Sequence, residues 1–229
     1  MIVMQNHLIS KLTRYILYLI ALTEVFQLYI FIAYLNLMTN YFEKYAYSYD
    51  QYLIKAEKIE HITEIHALLG IAIFLSSFFI IGRFFYISAK LNHLTGIMNL
   101  RISPGWAVGW YFIPIANIWK PYQSLKETFR ASHRVEDWRS IKIPVIFPIW
   151  WATWLLGTIW EQYLIKKTEW LYAAESYVYT ELITLQTYEI LSSIIMITNA
   201  YCLLKITNII SQNQFDLDFS KQINPNNLL

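Results

Sequence analysis

Four apolar runs, each long enough to cross a lipid bilayer, constrain this chain more than any other feature of its sequence. A helix of about 20 residues, rising about 1.5 Å per residue, spans the hydrocarbon core of a membrane. Because that core offers no water to open backbone groups, a spanning run folds as a helix or joins a closed barrel. The run lengths predict an all-α integral membrane four-helix bundle, with spans at residues 15–37, 67–87, 143–163 and 182–205. One membrane domain, residues 1–210, would then precede a polar tail, residues 211–229.

Composition agrees with a membrane protein and excludes other classes. Hydrophobic residues make up 56% of the chain and charged residues 15%, with a mean hydropathy of +0.34. The formal net charge of +2 argues against a nucleic-acid partner, since binding to phosphate backbones depends on a strongly basic field. The single cysteine, Cys202, lies in the last apolar run, so neither a disulfide framework nor a cysteine metal cluster is expected.

The distribution of Lys and Arg predicts the orientation of the chain. Positive residues in short loops favour the cytoplasmic side. Residues 83–142 hold nine of them: Arg83, Lys90, Arg101, Lys120, Lys126, Arg130, Arg134, Arg139 and Lys142. We therefore expect a cytoplasmic loop at residues 88–142 and cytoplasmic N and C termini. The segment before the second span is helical in pattern from Gln51, and it should continue directly into that span.

Within the cytoplasmic loop, residues 103–122 form an aromatic segment that glycine and proline interrupt. Glycines permit positive φ or close backbone approach, prolines remove amide donors, and tryptophans suit headgroup depth. We expect a re-entrant or interfacial aromatic hairpin, in which Asn117 satisfies broken backbone if the segment enters the bilayer. Its candidate residues are Pro104, Gly105, Trp106, Gly109, Trp110, Pro114, Asn117, Trp119 and Pro121.

A basic helix is predicted directly after this segment. Pro121 suits the first turn of a helix, and Lys126, Arg130 and Arg134 follow at intervals of four. This spacing predicts a basic stripe along the inner leaflet.

Two acidic residues lie inside predicted spans. An ionised carboxylate at membrane depth costs a few kcal/mol or more unless it is paired, so Glu24 and Glu189 should face the interior of the bundle. They could carry a proton or cation pathway with Asn199 as a neutral partner. Alternatively, hydrogen bonds of these side chains hold the helices together.

The aromatic segment resembles the signature of a known family. The matching residues are Ser103, Pro104, Gly105, Trp106, Ala107, Val108, Gly109, Trp110, Phe112, Pro114, Ala116, Asn117, Trp119, Pro121 and Tyr122, with Ala89 and Asn92 in an element before them. They are similar to domain of unknown function 4328, a bacterial family of multi-pass membrane proteins. The resemblance covers about residues 75–160. It implies a location in the bacterial inner membrane and the same multi-span arrangement, but no reaction.

No catalytic motif occurs in the sequence: a nucleophile elbow, a P-loop and a dinucleotide-binding glycine pattern are all missing. We predict a non-enzymatic membrane component that engages the inner leaflet or a protein partner through its aromatic and basic residues, with no catalytic residue, metal or cofactor. The alternative is a small ion or proton channel or transporter using Glu24 and Glu189, and a bundle of this size would need a homo-oligomer to enclose a pathway. A lipid-modifying enzyme dependent on Asn117 or Arg83 ranks third.

Overall fold

The computed structural model describes residues 2–42, 47–173 and 179–222, and this part of the chain is all-α, without a strand. The all-α prediction is confirmed. The six α-helices are α1 (Ile2–Phe42), α2 (Tyr49–Leu94), α3 (Trp106–Gly109), α4 (Lys120–Ser132), α5 (Ile146–Ala173) and α6 (Tyr179–Gln222). Short 3₁₀ turns lie at Trp110–Phe112, Ala116–Ile118 and Trp138–Ser140.

Three of these helices are long and apolar enough to cross a membrane, and they indicate a membrane protein. The candidate spans are Gln5–Phe42 in α1, Tyr49–Leu94 in α2 and Thr180–Phe215 in α6. In α2, only 6% of the most apolar stretch is buried inside the protein, so its apolar surface faces outward, as a lipid-exposed helix requires. Helix α5, which contains most of the predicted third span, is not among the three, and its apolar stretch is interrupted by Glu161 and Gln162. The span at residues 143–163 therefore stays a prediction.

Two helices extend beyond the predicted spans. Helix α2 begins at Tyr49 and runs unbroken to Leu94, which confirms the expected helical extension before the second span. Helix α6 continues past residue 210, where the polar tail was predicted to begin, and ends at Gln222. Residues 223–229 of that tail lie outside the described part of the chain.

The chain divides into two compact units. Unit 1 comprises Met1–Tyr18, Leu75–Trp151 and Tyr201–Leu229, and unit 2 comprises Leu19–Phe74 and Ala152–Ala200. Helices α1, α2, α5 and α6 contribute residues to both units.

A buried amide network explains why α6 continues through polar sequence. Nε2 of Gln214 donates to the carbonyl oxygen of Ser88 and to Oδ1 of Asn92, both at 2.9 Å, and its Oε1 accepts from Nδ2 of Asn6 at 3.3 Å. Nδ2 of Asn92 donates in turn to the carbonyl oxygen of Thr128 at 3.0 Å. Gln214 and Ser88 are fully buried, and Asn92 and Asn6 are nearly so. In unit 1, these bonds join residues of α1, α2, α4 and α6, so Gln214 is interior although it lies in the stretch predicted to be a polar tail.

Unit 2 is held by an aliphatic cluster of Leu164, Leu171 and Leu185, against which Trp160 and Tyr188 pack. The indole Nε1 of Trp160 donates to the carbonyl oxygen of Tyr188 at 3.2 Å and joins α5 to α6. A Cβ at Gly157 would lie 3.5 Å from Sδ of Met196, which is ordinary contact distance, so the two helices already pack closely there.

Candidate anion-binding site

A basic pocket of about 480 Å³ lies in unit 1, between the aromatic segment, α4 and the turn at Trp138–Ser140. We call it the basic pocket. Its wall carries five cationic side chains and, among the described residues, one carboxylate: Arg101, Lys120, Lys126, Arg130 and Arg139, with Glu127. Three tryptophans also line the pocket: Trp106, Trp110 and Trp138. A cavity of this size falls within the range of small-ligand sites.

The carboxylate of Glu127 is occupied by backbone donors. Its two oxygens accept from the backbone N–H of Arg101 at 3.1 and 3.2 Å, and Oε1 also accepts from the N–H of Ile102 at 2.9 Å. Within the described part of the chain, none of the five cations forms a salt bridge with an acidic side chain. With one carboxylate against five cations, the wall of the pocket keeps a net positive charge.

Two arginines of the pocket are tethered to backbone carbonyls. Nε of Arg130 donates to the carbonyl oxygen of Ile141 at 2.9 Å. Nη2 of Arg139 donates to the carbonyl oxygen of Asn99 at 2.6 Å, and its guanidinium lies 5.2 Å from the Trp138 ring centroid. These contacts restrict the orientation of both guanidinium groups at the pocket wall.

The two lysines on α4 lie over aromatic rings. Nζ of Lys120 is 5.2 Å from the ring centroid of Trp110, and Nζ of Lys126 is 5.0 Å from that of Tyr122. Such cation–π contacts stabilise an ammonium group by about 0.5–1 kcal/mol at exposed sites. They position the lysines without removing their charge.

Two of the three tryptophans of the aromatic segment are stacked on each other. The rings of Trp106 and Trp110 are 4.3 Å apart between centroids with planes inclined at 25°. A Cβ at Gly109 would lie 3.0 Å from Cε3 of Trp106, which is a tight contact, so glycine allows the backbone and this ring to approach closely. Neither Gly105 (φ −65) nor Gly109 (φ −57) has the positive φ that the sequence allowed for, and a Cβ at Gly105 would meet open space. Nothing in the structure explains the glycine at position 105.

Left-handed backbone occurs around the aromatic segment instead of inside it. Gly96, Asn99 and Arg134 have φ values of 78, 62 and 51. Asn99 accepts the bond from Arg139 described above, so a turn outside the segment helps to build the basic pocket.

The role expected of Asn117, which is to satisfy broken backbone if the segment enters the bilayer, stays a prediction. Oδ1 of Asn117 is buried and makes no hydrogen bond to any described residue. The backbone is satisfied by local bonds such as Asn117 N–H to the Ile113 carbonyl at 2.7 Å, and by the indole of Trp151, which donates to the Ile118 carbonyl at 3.1 Å.

Burial raises the pKa of the Tyr111 phenol above its ordinary value, so this ring remains neutral.

The remaining candidate residues of the segment differ in how far they are buried. Pro121 is buried in the first turn of α4, as its position predicted. Trp119 directly precedes that helix and is exposed, as is Pro114, and Pro104 is half-buried. Apolar side chains on the outer surface include Phe112, Ile115 and Ile118, of which Ile115 is 72% exposed. An apolar outer surface therefore lies in the same segment as part of the basic wall.

The predicted basic stripe is divided between two cavities. Lys126 and Arg130 lie on α4 and line the basic pocket. Helix α4 ends at Ser132, and Arg134 lies beyond it, where it lines a second cavity of about 650 Å³ together with Glu136 and Asp137. The interval of four residues does not continue as a helix to position 134, because the backbone there is left-handed.

In unit 2, the two predicted acidic residues have a common neighbour that the sequence analysis missed. Glu24 and Glu189 both interact electrostatically with Glu161, and Glu24 also forms a hydrogen bond with Ser193. Glu161 accepts a short hydrogen bond from the hydroxyl of Ser192. Nδ2 of Asn199 donates to Oγ1 of Thr153 at 3.1 Å. Among the described residues, no group of three or more His, Cys, Asp or Glu is arranged to hold a metal ion.

One comparison with known proteins identifies the family. The family model described as Domain of unknown function (DUF4328) matches residues 53–211, more than half of the chain. The chain belongs to this family. Every residue that lines the basic pocket lies inside the DUF4328 region, as do Glu161, Glu189 and Asn199, whereas Glu24 precedes it. Searches of the curated proteins and of the solved structures found no match to this DUF4328 member.

Proposed function

We propose that this DUF4328 member is a non-enzymatic component of the bacterial inner membrane whose aromatic and basic residues engage anionic lipid at the inner leaflet. In this proposal α5 supplies the third span, the four spans form a bundle, and the two termini and residues 88–142 are cytoplasmic. The concentration of Lys and Arg in the central loop supports this orientation. The outward apolar surfaces of α1, α2 and α6 support the membrane location.

The observation that carries the proposal is the basic pocket, with five cations that the described protein does not pair. Near an anionic leaflet, each Lys or Arg gains about 1 kcal/mol from the negative surface potential. The exposed side chains of Phe112, Ile115 and Ile118 suit the acyl boundary just below the headgroups. Together these features fit a segment that lies in the interface as an aromatic hairpin. A protein partner with an acidic surface is the other occupant that this charge would favour.

Tryptophan quenching by brominated lipids tests this proposal on the full-length protein. Reconstituted nanodiscs would contain either brominated phosphatidylglycerol or brominated phosphatidylcholine. We expect stronger quenching by the anionic lipid, and we expect this preference to disappear in a Lys126→Gln, Arg130→Gln variant. The control variant, Lys166→Gln, Lys167→Gln, removes the same charge from the predicted outer side and should keep the preference. Equal quenching by both lipids in the unmodified protein would rule out the proposal.

The carboxylates in unit 2 favour a second candidate function, a small proton or cation channel or transporter that assembles as an oligomer. Glu24 and Glu189 each interact electrostatically with Glu161 inside or beside the proposed spans, where acidic groups are commonly functional. Proton flux into liposomes, followed with an enclosed pH-sensitive dye, should fall on Glu24→Gln or Glu189→Gln substitution. Absence of flux in the unmodified protein, or flux unaffected by both substitutions, would exclude this candidate.

A further inference from the structure

We propose that the basic pocket binds a phosphate monoester, and that it prefers this doubly charged group to the singly charged phosphodiester of most phospholipids. The inference rests on the proposed function, because it names the chemical group that the pocket would select at the inner leaflet. A phosphate monoester carries a charge of about −1.5 to −2 at neutral pH, since its second pKa is about 6.

The charge balance of the wall favours a multiply charged ligand. Five cations face one carboxylate, and that carboxylate, Glu127, is already bonded to the backbone N–H groups of Arg101 and Ile102. The other acidic residues nearby in the chain, Glu136 and Asp137, line the neighbouring cavity and not this one. A phosphodiester with a single charge would leave most of this positive charge uncompensated.

The orientation of Arg130 favours a phosphate group in particular. Its Nε is used by the Ile141 carbonyl, and its two terminal nitrogens make no hydrogen bond to any described residue. A guanidinium held in this way presents a planar pair of donors, which matches two oxygens of a phosphate better than a single lysine charge does. Because the group is already oriented, little conformational freedom is lost when the ligand binds.

The aromatic wall suits the organic part of the ligand. The stacked rings of Trp106 and Trp110 line the same pocket as Arg130, and Trp106 is 46% exposed. Flat apolar rings beside a cluster of cations fit a ligand with a phosphate at one end and a glycerol, sugar or acyl portion at the other. Such a ligand could be a lipid with a monoester headgroup or a soluble phosphate ester.

Calorimetric titration of the full-length protein in nanodiscs of neutral lipid can separate these sources. The three probes are dihexanoyl phosphatidic acid, which is a monoester lipid, dihexanoyl phosphatidylglycerol, which is a diester lipid, and glycerol 3-phosphate, which is a soluble monoester. We expect phosphatidic acid to bind roughly tenfold more tightly than phosphatidylglycerol. Its extra negative charge is attracted by the cations of the pocket, and its phosphate oxygens accept from the two terminal nitrogens of Arg130. Binding of glycerol 3-phosphate with similar affinity would identify a soluble ligand, and its failure to bind beside tight phosphatidic acid would identify a lipid.

Two variants and one control connect the result to the pocket. Arg130→Gln should remove the preference for the monoester. The ammonium of Lys126 lies over the Tyr122 ring and forms no hydrogen bond with a described residue, so Lys126→Gln should weaken the preference without disturbing a backbone contact. Arg83→Gln removes a charge from α2 outside the pocket wall and should leave the preference unchanged. Equal affinity for the two lipids would overturn this inference and leave the proposed function standing, whereas no binding of either lipid would overturn both.

Discussion

In unit 1, Nε2 of Gln214 donates a hydrogen bond to Oδ1 of Asn92 at 2.9 Å, although the two residues are 122 positions apart in the chain. The contact joins the end of α6 to the end of α2. Asn92 also donates to the carbonyl oxygen of Thr128, on the helix that carries Lys126 and Arg130. The buried amides therefore hold α4, and with it part of the basic pocket, against two of the long helices.

Substitution of Gln214 by Ala should destabilise the protein. The change leaves Asn6 and Asn92 with buried polar groups that lose a partner, at a cost of about 1–3 kcal/mol for each unsatisfied group. We expect a lower apparent melting temperature for the detergent-solubilised protein, measured by loss of the monodisperse peak in size-exclusion chromatography after heating. Gln212→Ala, at an exposed position two residues earlier, is the control and should melt like the unmodified protein. Equal melting temperatures for both variants would show that the network does not contribute to stability.

Gly109→Ala and Gly105→Ala form a matched pair within the aromatic segment. At position 109 the new methyl group would lie 3.0 Å from the Trp106 ring, so the ring must move by a few tenths of an ångström relative to Trp110. The cost of such overpacking is about 1–3 kcal/mol. We expect weaker binding of anionic lipid and an altered tryptophan emission spectrum for Gly109→Ala alone, because Gly105 faces open space. Identical spectra and lipid binding in the two variants would contradict this arrangement of the tryptophans.

Binding of anionic lipid should weaken as the salt concentration rises. The cations of the pocket are partly exposed, and the Debye length falls from about 10 Å at 0.1 M to about 3 Å at 1 M ionic strength. We expect the quenching by brominated phosphatidylglycerol to approach that by brominated phosphatidylcholine at high salt. The residual difference between the lipids at high salt measures the contribution of direct, short-range contacts. A preference unaffected by salt would exclude charge as its cause.

Cysteine accessibility tests the position of the aromatic segment relative to the bilayer. Single cysteines at Phe112, Ile115 and Ile118, after replacement of Cys202 by Ser, would be exposed to a membrane-impermeant maleimide in intact cells and in inverted vesicles. Because these side chains would lie just below the headgroups, an interfacial segment on the cytoplasmic side predicts slow but equal labelling of all three in inverted vesicles and of none in intact cells. Loss of labelling in the middle of the segment alone would indicate a re-entrant path, and labelling in intact cells would reverse the proposed orientation.

Local properties of the sequence were enough to predict the main helices. The apolar runs within α1, α2 and α6 follow from side-chain composition and length, and Pro121 marks the start of α4 because proline is tolerated in a first helical turn. The family was recognisable from residues 103–122, because the spacing of glycines, prolines and tryptophans there can be compared directly with the family's motif. These features depend on residues close together in sequence.

The basic pocket could be predicted only in part. Lys126 and Arg130 were identifiable because they lie one helical turn apart on α4. Lys120 lies at the start of the same helix. Arg101 and Arg139 join these residues through the path of the connecting segments, which depends on left-handed backbone at Asn99 and on the contact of its carbonyl oxygen. Glu161 was missed for a similar reason, because its proximity to Glu24 and Glu189 depends on the packing of α5.

By itself, the sequence determined the all-α class, the three long apolar helices and the family, because each of these depends on hydropathy, residue spacing or short-range motif. Only the tertiary structure decided that Gln214 is buried and that five cations surround one cavity. The reason is that a hydrogen bond such as that between Gln214 and Asn92 forms only when two distant segments pack together. The sequence shows that these side chains are polar amides, but it does not show which partners they meet. An amide-rich stretch therefore predicts a solvated tail until its buried partners are known.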